Sequence, residues 1–477
     1  MIPIQTRRDF LKTATAFAGV AAGSRIIGAP YILAGDTAGE KLRTVVIGCG
    51  IQGTSNHVPV AAREQLVALV DADEKNLAKA LERVKNTSPN VKTSRIKTFT
   101  DYRKMFDKVG KEIDAVFIAT PNHHHALPAI MAMKLGKGVY VEKPMSYTIA
   151  EARLLADYAR QNKVATQMGN QGHSGEGYRR LCEYIWAGAI GKVTEVYCWS
   201  DRANGGTGPR PPVLPVPSGL HWDEWIGPAP FRDYHKDLHP HEWHGWHDFG
   251  GGSLGNTGCH VMDGAHWALK LEHPVSIEAE QMIGGSDERF PVGTRIRWDY
   301  PARGEMPPVK IYWYDGRHDI TDIEGEEQTP VANSIAKPLA NRPPIVEELE
   351  KKYNRHFGGN GTIYVGDKGY MYTGFYGDGT RIIPEEKHQE FPLPDKTIPR
   401  IKGSHMDNFL SACRGGPPAC SNFEVSSRLT EMTLLGTLAM LAGERRKIEW
   451  DGINMKCTNI HEVNNYLKRE NRKGWEA

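Results

Sequence analysis

Three glycines, Gly48, Gly50 and Gly53, stand as G-x-G-x-x-G in the stretch LRTVVIGCGIQG, and Asp71 closes a second apolar run 18 residues further on. Residues of these types at this spacing can hold a dinucleotide. The first glycine permits a tight turn, the second lets the backbone approach a pyrophosphate, and the third allows close packing of helix on strand. Ile51 and Gln52 lie inside the same turn, where a helix N-terminus offers free N–H groups and a positive dipole end to phosphate. A carboxylate at Asp71 can accept both hydroxyls of an adenosine ribose and would repel a 2′-phosphate, and no arginine follows directly in DADEKN. The expected cofactor is therefore NAD, with NADP disfavoured. Taken alone, a glycine-rich turn is common and an aspartate can simply cap a helix, so the surrounding elements decide.

Those elements alternate. Val45, Val46 and Ile47 form a continuous apolar run, as expected of a strand buried on both faces. QLVALVD, IDAVFIAT, VYVEKP and VATQMGN read as further strands. HHHALPAIMAMKLG reads as a helix closed by Gly136 or Gly138, and Thr148 to Glu151 reads as a capping box opening another. Alternation at this pace predicts a doubly wound parallel sheet, whose ligands sit at the carboxyl ends of the strands. Thr120-Pro121-Asn122, Glu142-Lys143-Pro144 and Met168-Gly169-Asn170-Gln171 all fall there.

Beyond Gln171 the composition shifts to short strands separated by long polar loops: VTEVYCWS, VSIEAEQM, TRIRWDY, PVKIYWYD and GTIYVGD. This predicts an α+β domain with a large, mostly antiparallel sheet. The loop from His221 to Gly252 is dense in tryptophan and histidine. His239, His241, His244 and His247 could ligate a metal, although their spacing fits no usual ligand pattern and prolines break the chain there. Alternatively, the loop is an aromatic wall for the face of a sugar, with Trp222 and Trp225 serving packing. The site assignment carries no metal ligand.

The 477 residues are too many for one ordinary core. Hydrophobic residues make up 40% and charged residues 24%, with a formal net charge of +2, a balance of a globular chain without a nucleic-acid partner. The seven cysteines show no C-x-x-C pair and read as free thiols rather than a disulfide framework. At the N-terminus, TRRDFLK followed by TATAFAGVAAG has the pattern of a twin-arginine export signal, a route for chains already folded. The expected division is an export signal over 1–34, a nucleotide domain over 41–168, a substrate domain over 169–450 and a C-terminal tail over 451–477.

In this order, VIGCGIQG, ATPNHHHA, GKGVYVEKP, MGNQGHS and GGSLGNTGCHVMD resemble the glucose–fructose oxidoreductase/inositol dehydrogenase (Gfo/Idh/MocA) family, from about Leu42 to Trp450. The resemblance implies an N-terminal Rossmann domain, a C-terminal domain with an open sheet, NAD(P), and a sugar or cyclitol substrate. It implies that Lys143 touches the nicotinamide ribose and the reacting hydroxyl, that Thr120, Pro121, Asn122 and His125 line the nicotinamide end, and that His260 is the general base. The family often carries an acid four positions before that histidine; here the residue is Asn256. An amide can orient a hydroxyl or the imidazole but adds no negative charge.

Free NAD is scarce outside the cytoplasm, so an exported protein would fold around its cofactor and keep it tightly bound. Three functions follow: oxidation of a sugar or cyclitol carbinol, glycoside cleavage through a transient ketone, or sugar binding without turnover. A periplasmic or secreted location, contact with the export machinery and a homo-oligomer are all compatible with this reading.

Overall fold

A computed structural model describes residues 40–320 and 337–476; the expected export signal lies outside them. Six strands form the first sheet: β1 (Arg43–Ile47), β2 (Gln65–Val70), β3 (Lys97–Phe99), β4 (Ala115–Ile118), β5 (Gly138–Val141) and β6 (Thr166–Met168). Their order is β3-β2-β1-β4-β5-β6, and every neighbouring pair is parallel. The order reverses between β1 and β4, which opens a crevice at their carboxyl ends. This is the doubly wound Rossmann sheet that the alternating apolar runs predict. The capping box is present too: the Thr148 hydroxyl accepts from the Glu151 amide, and the Glu151 carboxylate accepts from the Thr148 amide, opening helix Ile149–Asn162.

The second sheet has nine strands among the described residues: β7 (Val193–Ser200), β8 (Ser276–Ile283), β9 (Gly293–Tyr300), β10 (Val309–Gly316), β11 (Asn360–Gly366), β12 (Gly369–Thr373), β13 (Arg381–Ile383), β14 (Ile448–Asp451) and β15 (Lys456–Cys457). They are ordered β13-β12-β11-β7-β10-β9-β8-β14-β15. All pairs are antiparallel except β7 with β10. Helices Gly252–Val261 and Phe423–Ala442 pack on the face turned toward the first domain. One apolar core runs from Val45, Ile47 and Met168 of the first sheet through Leu254 and Leu435 to Trp298 and Trp313 of the second.

Two expected boundaries are corrected. Helix His405–Cys413 lies in the stretch assigned to the substrate domain, yet Met406, Phe409, Leu410 and Cys413 complete the core beneath Val46, Phe117 and Tyr140 of the first sheet. The supposed tail, 451–477, is folded up to its last described residue. It adds β15, its Leu467 carbonyl accepts from the Ala150 amide, and it buries Trp475 to 2% exposure. The Trp475 ring lies against Tyr102 and His124, with the Arg103 guanidinium 3.5 Å from its centroid. A single tryptophan in a polar stretch gives no periodic signal, and the contact spans more than 350 residues.

Trp475→Ala should therefore destabilise the nucleotide domain by ~3–5 kcal/mol, the range for removing a buried aromatic ring. Thermal unfolding checks this: a midpoint lower by several degrees is expected, and an unchanged midpoint would restore the tail reading.

Candidate functional site

A cavity of about 410 Å³ lies at the carboxyl ends of β1, β2, β4 and β5, bounded on its far side by helix Gly252–Val261 and the tryptophan-rich loop. At one end stands the glycine turn. Gly48 has φ +88°, and a Cβ there would sit 2.5 Å from the Ala119 backbone. A Cβ on Gly53 would fall 1.9 Å from the Gly48 carbonyl oxygen, so this glycine lets the turn fold back on itself. A Cβ on Gly50 would meet nothing within 4 Å. Gly50, Ile51 and Gln52 line the cavity, and the open space beside Gly50 is where a pyrophosphate fits.

Asp71, at the end of β2, lines the same end. Its Oδ2 accepts from the Cys49 amide at 2.6 Å, and its Oδ1 accepts from the Asp73 amide at 2.8 Å. Burial raises its pKa, while these amides and the Asn76 side chain oppose the rise. The second domain reaches this end as well. The Gly219 carbonyl accepts from the Glu74 amide, the His221 amide donates to Ala72, and His239 Nε2 lies 3.0 Å from Asp73 Oδ2. Trp225, Pro240 and Trp243 thereby wall the cavity.

The other end gathers the residues expected to do chemistry. Lys143, just past β5, donates from Nζ to the Asn256 carbonyl oxygen at 2.7 Å and to Asn256 Oδ1 at 3.2 Å. Asn256 Nδ2 donates in turn to Asn204 Oδ1 at 2.9 Å, which fixes the amide's orientation. Burial lowers the Lys143 ammonium pKa, and neighbouring Glu142 opposes that lowering. Glu142 is buried with His57 Nε2 2.9 Å away and Gln52 Nε2 3.0 Å away. Burial raises its pKa, but the His57 contact, the Lys143 charge and the Gln52 amide together outweigh this and the carboxyl titrates at about 2. His260 lines the cavity from the last turn of its helix at 5% exposure, against the rings of Phe375 and Tyr376. Burial, helped by the Lys143 charge, pushes it down to about 3, so it is a neutral imidazole across ordinary pH.

Several expectations change here. Asn256 pairs with Lys143 and Asn204, not with His260. The His260 pKa lies far below its free value, because burial is the largest effect and the opposing pull of Glu142 does not offset it. Asn170 does not face the cavity: its amide donates to Asp263 Oδ2 at 3.0 Å and accepts from Ser421 Oγ at 2.6 Å, buried between the domains. Gln171 lines the cavity in its place. His125 lines the nicotinamide end, but both ring nitrogens are committed, Nδ1 to the Pro144 carbonyl and Nε2 to the Thr120 carbonyl. It braces the ends of β4 and β5. Thr120, Pro121 and Asn122 line the cavity, and the Thr120 hydroxyl is buried without a protein partner, as suits a group awaiting a ligand.

The four loop histidines do not converge. His239 meets Asp73, His241 meets Glu242, His244 stacks on Trp243, and His247 meets the Phe290 ring. Among the described residues no group of three or more His, Cys, Asp or Glu is placed to hold a metal. Trp222 and Trp225 stack at 4.7 Å within a local aromatic core. Arg202, Asn204 and Tyr376 are site residues that sequence reasoning missed; they come from irregular segments with no motif of their own.

A Rossmann crevice whose nicotinamide end faces a lysine and a buried histidine across a domain interface defines a two-domain NAD-binding oxidoreductase scaffold. Comparison with known proteins agrees. The profile of the oxidoreductase family's NAD-binding Rossmann fold matches residues 42–170, and that of its C-terminal alpha/beta domain matches residues 189–302. The chain belongs to the Gfo/Idh/MocA oxidoreductase family. It is 30% identical over 175 residues to the rhizopine catabolism protein MocA of Rhizobium meliloti, covering 35% of this chain and 52% of that one. It is 32% identical over 175 residues to levoglucosan dehydrogenase of Pseudarthrobacter phenanthrenivorans, covering 36% of each. The matches thus span about half or less of these relatives. The aldose-aldose oxidoreductase structure from Caulobacter crescentus superposes with a TM-score of 0.55 at 16% identity, covering 86% of this chain and all of that one, which establishes likeness of fold.

The second and third glycines give a paired test. Gly50→Ala should leave the melting temperature of nucleotide-free protein unchanged and weaken NAD binding at least ~10-fold, about 1.4 kcal/mol. Gly53→Ala should destabilise the fold itself. Intact NAD affinity in folded Gly50→Ala protein, measured by titration calorimetry, would remove the glycine turn from the nucleotide site.

Proposed function

We propose that the protein is an NAD-dependent oxidoreductase that oxidises a carbinol of a sugar or cyclitol, with Lys143 and His260 as the reacting pair. The observation that carries this reading is the convergence of a tethered lysine and a neutral histidine on the crevice of the glycine turn. When bound, the nicotinamide supplies the hydride acceptor. Lys143 has two of its three N–H groups turned to Asn256, which leaves one for the substrate oxygen. Its positive charge stabilises negative charge growing on that oxygen. Neutral His260 lines the same end of the cavity and would take the hydroxyl proton. Phe375, Tyr376 and Trp243 offer apolar faces to a pyranose ring, as the sugar-directed name of levoglucosan dehydrogenase leads one to expect.

NAD rather than NADP, held tightly, is part of the proposal. A half-buried carboxylate at Asp71 opposes a 2′-phosphate, and the second domain's strands of loop at Gly219–His221 and His239 pin down over Ala72 and Asp73. Export by the twin-arginine route to the periplasm or outside rests on TRRDFLK alone, and tight binding is what that destination requires.

Two measurements test this. Protein made with its N-terminus intact should release NAD on denaturation, read by mass spectrometry; NADP in its place, or no nucleotide, would sink the cofactor assignment. Lys143→Ala should keep its melting temperature while turnover falls at least ~100-fold, the scale of a positioned electrostatic group. The wild-type kcat/KM profile should lose no activity to imidazole protonation at mildly acidic pH, since His260 titrates at about 3. Asn256→Asp should bring an acidic limb to higher pH, because an anion favours imidazolium. His260→Ala alone should remove most turnover, and added to Asn256→Asp it should abolish the limb; a limb that survives in the double variant would exclude His260 as the base.

A further inference from the structure

Arg202 lies just beyond β7 and lines the reacting end of the cavity with Lys143, Asn256, His260 and Tyr376. The chain on both sides of it is fixed. The Ser200 hydroxyl donates to Asn360 Oδ1 at 2.6 Å and accepts from the Arg202 amide at 3.3 Å. The Asn204 amide donates to Ser253 Oγ at 2.7 Å, and its side-chain oxygen holds Asn256. The nearest acid in sequence, Asp201, is turned away: its Oδ1 accepts from Asn360 Nδ2 at 3.1 Å, and its carboxylate presses so close to Gly359 that a Cβ there would lie 2.1 Å from Oδ2. Among the described residues, no carboxylate, carbonyl or aromatic ring pairs with the half-buried Arg202 guanidinium. Glu142, the acid nearest the reacting end, is already engaged by His57 and Gln52. The Arg202 charge does reach the reacting groups: it adds to the lowering of Lys143 by burial, and it opposes the raising of Tyr376 by burial and Glu142.

A partly buried guanidinium without a partner is held at a cost unless a ligand supplies the anion. We infer that the substrate of this site is an acidic sugar, whose carboxylate is bound by Arg202 while its carbinol faces Lys143 and His260. A carboxylate matches the planar fork of a guanidinium with two parallel hydrogen bonds, which a single sugar hydroxyl cannot do. This rests on the sugar-oxidoreductase reading and adds the substrate's charge to it.

The test uses NAD-loaded protein and calorimetric binding, independent of turnover. The probes are D-glucuronate and D-galacturonate, their uncharged amides, D-glucose and D-galactose, and D-glucose 6-phosphate. At least one hexuronate should bind more tightly than its own amide. Arg202→Gln should erase that preference, weakening the acid on the order of 10–100-fold while leaving the amide and the retained NAD unchanged. Arg202→Lys should recover only part of it. Equal binding of acid and amide for both sugars, or a preference that survives Arg202→Gln, would overturn the inference while leaving the sugar-oxidoreductase reading standing. Preference for the phosphate over both hexuronates would overturn it too, assigning the guanidinium to a phosphorylated sugar. Loss of NAD from Arg202→Gln protein would overturn it by placing the arginine on the cofactor. Failure of every sugar to bind would overturn both readings.

Discussion

A single ammonium group held by two neutral oxygens ties the two domains together at the point where chemistry is possible. Lys143 belongs to the first sheet and Asn256 to a helix of the second domain, so their hydrogen bonds exist only when both domains are folded and docked. An aspartate at position 256 would hold the lysine more strongly, but it would also neutralise it. The amide positions the charge and leaves it available, which suits a group meant to stabilise an oxygen in the cavity. Hydrogen bonds to a charged group contribute about 1.5–3 kcal/mol each. Misplacing helix Gly252–Val261 therefore penalises the interface and the site together.

That helix is placed by close packing. Gly258 lies against Leu254 and Thr433, where a Cβ would sit 2.7 Å and 3.0 Å away, and Gly436 lies against Leu254 and Trp298 at 2.4 Å. The glycines let helix Phe423–Ala442 approach both helix Gly252–Val261 and the second sheet. The buried link of Asn170, Asp263, His173 and Ser421 then fixes the first sheet's last strand against the same unit. Polar groups buried this way lose much if one partner is removed, so they favour a single relative placement of the domains.

How much of this was legible follows from how local each signal is. The glycine turn, Asp71 and the strand ends at Thr120 and Lys143 were readable, because doubly wound topology carries sequence order directly into spatial order. The strands β7 to β11 were readable from their alternation and aromatic content. The short β12 to β15 were not, being three to five residues of mixed polarity in which turns outweigh pattern, or in β15 only two. Asn170 was misplaced because position at a strand end does not say which way a side chain turns; the pull of Asp263, 93 residues away, decides that. The His260 pKa was not legible because sequence shows charged neighbours but not burial, and burial is the larger effect here. Arg202 was invisible for the opposite reason, since its meaning lies in the absence of a partner among residues far apart in the chain.

The same non-local closure links the cofactor to folding. The walls of the nucleotide end come from three separate stretches: the glycine turn, the loop at Gly219 to His244, and the region around Tyr102 and His124. The loop is fastened to the first domain by backbone hydrogen bonds at Ala72 and Glu74, and the Trp225 carbonyl is shared by His123 Nε2 and His124 Nε2. The C-terminal stretch fastens it again, with Arg472 donating to the Gly227 carbonyl and pairing with Asp223. Opening the nucleotide end would break several of these bonds at once, whereas the substrate end is bordered by single side chains such as Tyr376. On the proposed reading, a dinucleotide would enter most easily before the loop and the C-terminal stretch have docked, whereas a small sugar would reach the finished protein. On the proposed export route this asymmetry has a purpose, because the chain would meet its nucleotide only before it leaves the cytoplasm.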